Sequence, residues 1–332
     1  MQVVEVKNGG GSVSAQATDI CIPADERPSK DAWFKGEPYQ QLMLAIRQDD
    51  VIRQTQIIEG CISANAGADL AFWLLIRCGM RNGAAVSAPS LRERAWADLE
   101  EAFRIAPDDH RIREHVLFSA LGLCIGTEKL GRMMPFVRAL RRDIVQPKDG
   151  AFFNYNLGIL HLRRGRWQAA YRALCRAETG MLSLSPDAQV ACRDQLGLLY
   201  MKRTVAALAC DRLDVAVGDL AAATEIYAAM QYKFSGVFIA IARAELALYQ
   251  GRFQQARASL QLGLVQDRTR DYAKLAPSVQ TDVELLTARI ARAEGNQESF
   301  THFCGRALAI AQQQDLSISL ARVRAVMAGA ER

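Results

Sequence analysis

The stretch Gly165-Arg166-Trp167-Gln168-Ala169-Ala170-Tyr171-Arg172-Ala173-Leu174-Cys175-Arg176-Ala177 decides the fold, because its pattern recurs. A Gly-Arg-aromatic turn is followed by Ala170, Leu174 and Ala177. Gly251-Arg252-Phe253 is followed at the same offsets by Ala256, Leu260 and Gly263. Asp211-Arg212-Leu213 is followed by Ala216, Leu220 and Ala223, and Gly295-Asn296-Gln297 more loosely by Phe300, Cys304 and Ala307. The four starts lie 46, 40 and 44 residues apart. Self-similarity at such a period is the mark of a stacked repeat, in which each unit needs its neighbours to bury its apolar face. A second element precedes two of the turns: Leu157-Gly158 with His161, and Leu196-Gly197 with Tyr200.

Outward from there the chain reads as helix after helix. Apolar residues recur at three- and four-residue spacing in Leu42, Ile46, Ile52, Ile57 and Ile58, and again in Leu91, Ala95, Leu99, Ala102 and Phe103. Breaks fall at residues 79–89, 106–109, 146–150 and 183–187 and at Gly251 and Gly295, leaving room for roughly fourteen or fifteen helices of 12 to 24 residues. Strand signals are nearly absent, with one short extended piece expected at residues 3–6. A Gly or Ala on a first helix lets its partner approach closely, and a large residue four positions after the small one on the second helix seals the pair. After Pro107, Asp108 or Asp109 is expected to cap the next helix.

These residues resemble the tetratricopeptide repeat, whose first helix carries Leu-Gly-x-x-Tyr and whose second carries Ala-x-x-x-Phe-x-x-Ala before a proline. The likeness is good in residues 152–178 and 195–224, fair in 237–264 and 91–107, and weak elsewhere. The period exceeds the family's 34 residues, which is read here as first helices, such as 190–210, about two turns longer. Similar long repeats occur in sensor and scaffold arrays of bacterial regulators. The resemblance implies an all-α fold, a right-handed α-solenoid of stacked antiparallel helix pairs forming a tetratricopeptide-like superhelix. Residues 1–35 are expected to be a flexible arm, 36–150 degenerate helical repeats, and 151–332 regular repeats ending in a capping helix.

Composition narrows function by exclusion. Half of the 332 residues are hydrophobic, 23% are charged and 7% are aromatic, which excludes a wholly disordered chain. No run of about 18 uncharged apolar residues occurs, so no membrane span is expected. Residues 1–30 lack the basic start and apolar stretch of a secretory leader, and the expected compartment is the cytoplasm. The eight cysteines form no Cys-x-x-Cys pair and read as small buried hydrophobes, and with four scattered histidines no metal or other cofactor is expected. Residues 1–150 carry 19 basic and 20 acidic side chains, leaving 22 basic and 16 acidic in residues 151–332. The front is neutral and the back is basic.

No phosphate-binding glycine loop and no Gly-x-Ser-x-Gly elbow occurs. His110 and His115 are five apart, about 140 degrees round a helix from each other, and Cys175 near His161 reads as a buried cysteine rather than a nucleophile. The chain is therefore expected not to be an enzyme. The repeat resemblance implies that outward residues of the first helices form a concave partner-binding face. Counting from the Leu-Gly positions and the Gly-Arg turns gives Tyr155, Asn156 and Arg163, then Asp194 and Lys202, then Glu245 and Tyr249, then Arg289 and Arg292. Phe152, Ile159, Phe238 and Ile241 fall on the same faces, with Phe152, Phe238 and Tyr155 equally readable as core between repeats. Such a groove suits a protein or peptide partner with an acidic feature, making the chain a scaffold or adaptor. Family members that bind chaperones grip a terminal carboxylate with Lys, Asn and Arg, and only Asn156 falls on a matching position. The alternative is a ligand-sensing or single-stranded nucleic-acid-binding regulator using the basic repeats. Nucleic acid is disfavoured because Asp194 and Glu245 interrupt the face.

Overall fold

The computed structural model describes residues 31–48, 50–84, 90–141, 144, 147–230, 236–266 and 275–330. Every regular element among them is a helix. Six hairpins follow one another: α2 (Glu37–Arg47) with α3 (Val51–Ala64), α4 (Gly67–Ala84) with α5 (Ser90–Ile105), α6 (His110–Thr127) with α7 (Leu130–Leu140), α8 (Pro147–Arg163) with α9 (Trp167–Leu182), α11 (Arg193–Ala209) with α12 (Leu213–Met230), and α13 (Gly236–Tyr249) with α14 (Phe253–Gln266). A seventh pairs α15 (Pro277–Ala293) with α16 (Gln297–Gln313), and α17 (Ser317–Met327) packs on both. A short α1 (Asp31–Lys35) leads in, and α10 (Pro186–Ala191) is inserted between α9 and α11. None of these helices is long and apolar enough to cross a membrane.

The turns that close the last four hairpins share one hydrogen-bond pattern. At Gly165, which sits at φ 64°, the Gly165 N–H donates to Leu162 O and the Arg166 N–H to His161 O. This is the Schellman arrangement, which satisfies the last carbonyls of a helix and needs a left-handed residue at its corner. Gly251 and Gly295 repeat it at φ 71° and 76°, and Asp211 and Asp315 do so at 56° and 51° without the glycine. All four repeat starts read from the sequence are therefore left-handed corners, and a fifth, Asp315, joins α16 to α17. Three helix starts carry side-chain caps: Asp50 accepts from the Arg53 N–H, Asp109 from the N–H groups of Arg111 and Ile112, and Asn296 from the Ser299 N–H.

Packing follows the small-residue pattern. Ala170, Leu174 and Ala177 are fully buried, and a Cβ built on Gly158 of α8 would lie 2.7 Å from the Leu174 side chain of α9. One pair later, a Cβ on Gly197 would lie 2.7 Å from the Tyr227 ring. The first helices α8, α11, α13 and α15 also pack side by side along the chain, and in the front half a single apolar cluster runs from Leu42 to Leu160 around Trp96 and Phe72. The Trp96 Nε1–H donates to Thr127 Oγ1 at 3.2 Å.

Two expectations change, and a third is not reached. Residues 31–35 are helical, and Trp33 stacks on Phe72 with ring centroids 4.7 Å apart, so this end of the expected arm is part of the packed front. The expected extended piece at residues 3–6 lies outside the described residues. Residues 190–210 are not one long helix: the chain breaks at Cys192, and α10, opened by Pro186 in its first turn, carries the extra length ahead of a 17-residue α11.

One tie is not between sequence neighbours. Glu128, at the left-handed corner after α6 (φ 57°), is 2% exposed, and its carboxylate reaches the start of α17. Oε2 accepts from the N–H groups of Ile318 and Ser319 at 2.7 and 2.8 Å, and Oε1 accepts from the Ser319 hydroxyl at 2.6 Å. The N-cap residue of α17, Leu316, offers no side-chain cap, so Glu128 supplies one from another helix. Arg163 of α8 lies 3.4 Å from Glu128 Oε1 and donates to Ser278 Oγ at 2.9 Å. Lys129 pairs with Asp315 beside it. Through these contacts α6, α8, α15 and α17 meet.

Candidate functional site

The inward faces of α8, α11, α13 and α15, with α17 across them, enclose a cavity of about 1020 Å³. Its apolar wall comes from each helix in turn: Ile159 and Leu162, Val205 and Leu208, Phe238 and Ile241, Leu285 and Leu286, and Val326. Among the described residues, eight charged side chains share that wall, namely Arg163, Lys202, Asp211, Glu245, Asp282, Arg289, Arg292 and Arg322. Five cations against three carboxylates leave the lining positive by two.

Of the nine residues expected to face a partner, Arg163, Lys202, Glu245, Tyr249, Arg289 and Arg292 line this cavity. Tyr155, Asn156 and Asp194 do not. Tyr155 packs in the apolar cluster between α8, α9 and α11, where burial and Asp194 push its phenol well above the ordinary range. The Asn156 side chain donates back to Phe152 O at 2.9 Å, and Asp194 accepts from the Gln195 N–H at 2.8 Å while its main-chain oxygen takes the Tyr227 hydroxyl at 2.9 Å. All three lie N-terminal to the stretches of α8 and α11, residues 159–163 and 202–209, that line the cavity. The cavity is built from the C-terminal halves of those helices, so counting outward positions along a whole helix reached too far.

The charged groups are not alike. Arg289 donates to Glu245 Oε1 at 2.7 Å, Arg322 to Asp282 Oδ1 at 2.6 Å, and Tyr249 to Asp211 Oδ1 at 3.2 Å. Arg163 is engaged by Glu128 and Ser278 and is 8% exposed, which makes it a tie between helices as much as a lining cation. Arg292 lies 3.4 Å from the Val326 carbonyl and 5.7 Å from the Phe300 ring centre. The Lys202 ammonium stands 4.7 Å over the Phe238 ring and, among the described residues, has no hydrogen-bonded carboxylate. Burial pushes its pKa down to about 8, with Asp282 opposing and Arg163 and Arg322 adding to the drop. Asp282 is the converse: burial works against its charge, but Arg322, Arg163 and Lys202 hold it below the usual carboxylate range.

Sequence reasoning missed Asp282 and Arg322. Asp282 lies seven residues before Arg289, on the same face of α15, so the helical period held the signal. Arg322 sits on α17, which is placed across the cavity by packing on α15 and α16 and by the Glu128 tie, none of it visible in the local spacing. Among the described residues no three His, Cys, Asp or Glu side chains gather as a group fit to hold a metal ion.

No protein-family model, curated protein or solved structure matches the chain.

Proposed function

We propose that the chain is a non-catalytic helical-repeat adaptor of the tetratricopeptide kind, its pairs stacked as a right-handed superhelix, which takes a short acidic segment of a partner protein into the cavity between its first helices. The repeated left-handed corners and the glycine contacts of α8 and α11 support the repeat architecture. The observation that carries the function is the cavity wall, where eight charged side chains are interleaved with aliphatic and aromatic ones. A purely apolar ligand would strip water from those charges without replacing it, at several kcal/mol for each unmatched charge. A peptide offers main-chain donors and acceptors along its length and apolar side chains between them. Nucleic acid fits less well, because Arg163, Arg289 and Arg322 each already lie against a carboxylate of the chain, which removes the open basic stripe a phosphate backbone needs.

Photo-crosslinking from inside the cavity tests this. A benzophenone amino acid at Ile241, compared with one at the 73% exposed Ile52, would be activated in the native host and the products read by mass spectrometry. A defined protein adduct from position 241 alone is expected. Adducts confined to nucleic acid, or identical from both positions, overturn the reading.

A further inference from the structure

The cavity's cations fall into two kinds, and the difference points to one residue. Arg163, Arg289 and Arg322 are each matched by a carboxylate, Glu128, Glu245 and Asp282 respectively, and Arg292 lies against the Val326 carbonyl of α17. Lys202 projects from the middle of α11 toward α13, α15 and α17, with the Phe238 ring below it and no acceptor of its own among the described residues. A half-buried ammonium with three donors and no acceptor is costly to keep, so in a packed protein it is normally matched or absent. Here it faces the open volume.

We propose that Lys202 is the anchor on which the incoming segment sets one carboxylate, so that the ligand is an acidic peptide whose acid lies next to apolar residues. This rests on the adaptor reading above and deepens it. The bound carboxylate takes the donors of Lys202 and stands close to Arg322. The Phe238, Ile241 and Leu285 surfaces receive the neighbouring apolar side chains. Because Asp282 is already held by Arg322 at 2.6 Å, the arriving acid completes a two-cation, two-carboxylate cluster instead of competing for a made pair.

The groups facing Lys202 make the site readable by pH. Arg163 on α8 and Arg322 on α17 face it as cations, Asp282 on α15 is held below the usual carboxylate range, and Tyr249 of α13, elsewhere in the wall, has a phenol raised above its ordinary range by burial and Asp211. Within this cluster, Lys202 alone changes charge between pH 7 and pH 9.5. A bound carboxylate holds it protonated, so binding takes up a proton in that window and weakens as pH rises.

The test uses the full chain and equilibrium dialysis with three octapeptide pools whose variable positions are drawn from Ala, Leu, Ile, Phe and Tyr. The first pool is acetylated and amidated with a central Glu, the second is the same with Gln, and the third carries Gln and a free C-terminal carboxylate. Dodecanoate is a fourth probe. At pH 7 a carboxylate-bearing pool is expected to bind about tenfold or more tightly than the neutral one, and comparison of the first and third assigns the acid to a side chain or a chain end. That preference is expected to fall about tenfold by pH 9.5, to vanish in K202M, and in K202R to persist without pH dependence. Equal binding of acidic and neutral pools, or an undiminished preference in K202M, overturns the Lys202 assignment and leaves the adaptor reading standing. Rejection of all three peptide pools overturns both, and dodecanoate binding alongside that rejection identifies a small amphiphile as the occupant.

Discussion

Glu128 and Ser319 are joined by two hydrogen bonds, the Ser319 N–H to Oε2 at 2.8 Å and the Ser319 hydroxyl to Oε1 at 2.6 Å, across 191 residues of sequence. One carboxylate thereby caps α17 and lies beside the buried Arg163 guanidinium. Replacing it with alanine removes a cap and leaves a cation buried without its counter-charge. E128A is expected to lose about 3 to 5 kcal/mol in urea unfolding, and E128Q about half of that. Hydrogen exchange should show the α17 amides losing protection ahead of the rest. Parent-like protection of α17 in E128A would show that the tie contributes little.

Gly158 and Gly305 make a matched pair of opposite sign. A Cβ at Gly158 meets Leu174 at 2.7 Å, whereas one at Gly305, exposed within α16, meets nothing within 4 Å. G158A is expected to cost about 1 to 3 kcal/mol through overpacking, and G305A to add about 0.5 to 1 kcal/mol through helix propensity. Thermal unfolding of the two variants settles both, and a harmless G158A would mean that α8 and α9 are not in this register.

Lys202 should be a stability cost at neutral pH. Its folded pKa of about 8 lies below the ordinary 10.5, so the folded state disfavours the charged form. The penalty is complete below about pH 8 and is relieved as pH rises toward 10.5. K202M is therefore expected to be more stable than the parent by about 1 to 2 kcal/mol at pH 7, with the gap closing by pH 10.5. A gap that is constant across that range would locate the gain in packing, not charge.

Arg203 holds two carboxylates together. It donates to Asp219 through Nε and Nη2 at 2.8 and 2.7 Å and to Glu178 at 2.8 Å. Burial already raises the pKa of Asp219, against the pull of Arg203. R203M should cost about 3 to 5 kcal/mol at pH 7.5. Because the stranded acid then has a folded pKa further above its unfolded one, the cost is present above that pKa and is relieved as pH falls. Measured against the parent at each pH, the deficit should shrink toward pH 5, and one that grew on acidification would contradict this arrangement.

What was legible in the sequence was whatever neighbouring residues determine. Gly165, Asp211, Gly251 and Gly295 were readable as corners because a helix hairpin needs a left-handed residue there, and Ala170, Leu174 and Ala177 were readable as a seal because one helix face repeats every three or four residues. The convergence of Arg163, Lys202, Glu245, Tyr249, Arg289 and Arg292 followed from the same counting. The failures were of another kind. Which stretch of α8 and α11 opens onto the cavity depends on how successive pairs are skewed, so Tyr155, Asn156 and Asp194 lie off it. Glu128 looks like any exposed acid after a helix, since its partners lie at residues 318 and 319. In the front half, Asp98 gathers Arg77 and Arg81 in a pairing that spacing alone did not reveal.

The tie at Glu128 also bears on the order in which the chain folds. Contacts inside each hairpin join residues a few tens apart and close fast, whereas a contact between residues 128 and 319 waits on a long loop. An open stack of repeats frays from whichever end is weaker, each unit melting nearly alone. With α17 held by α6 and α8, loss of the front pairs withdraws a cap from the rear. The α6–α7 pair and α17 are then expected to share one unfolding transition, and the cavity that α8 and α17 line is assembled last.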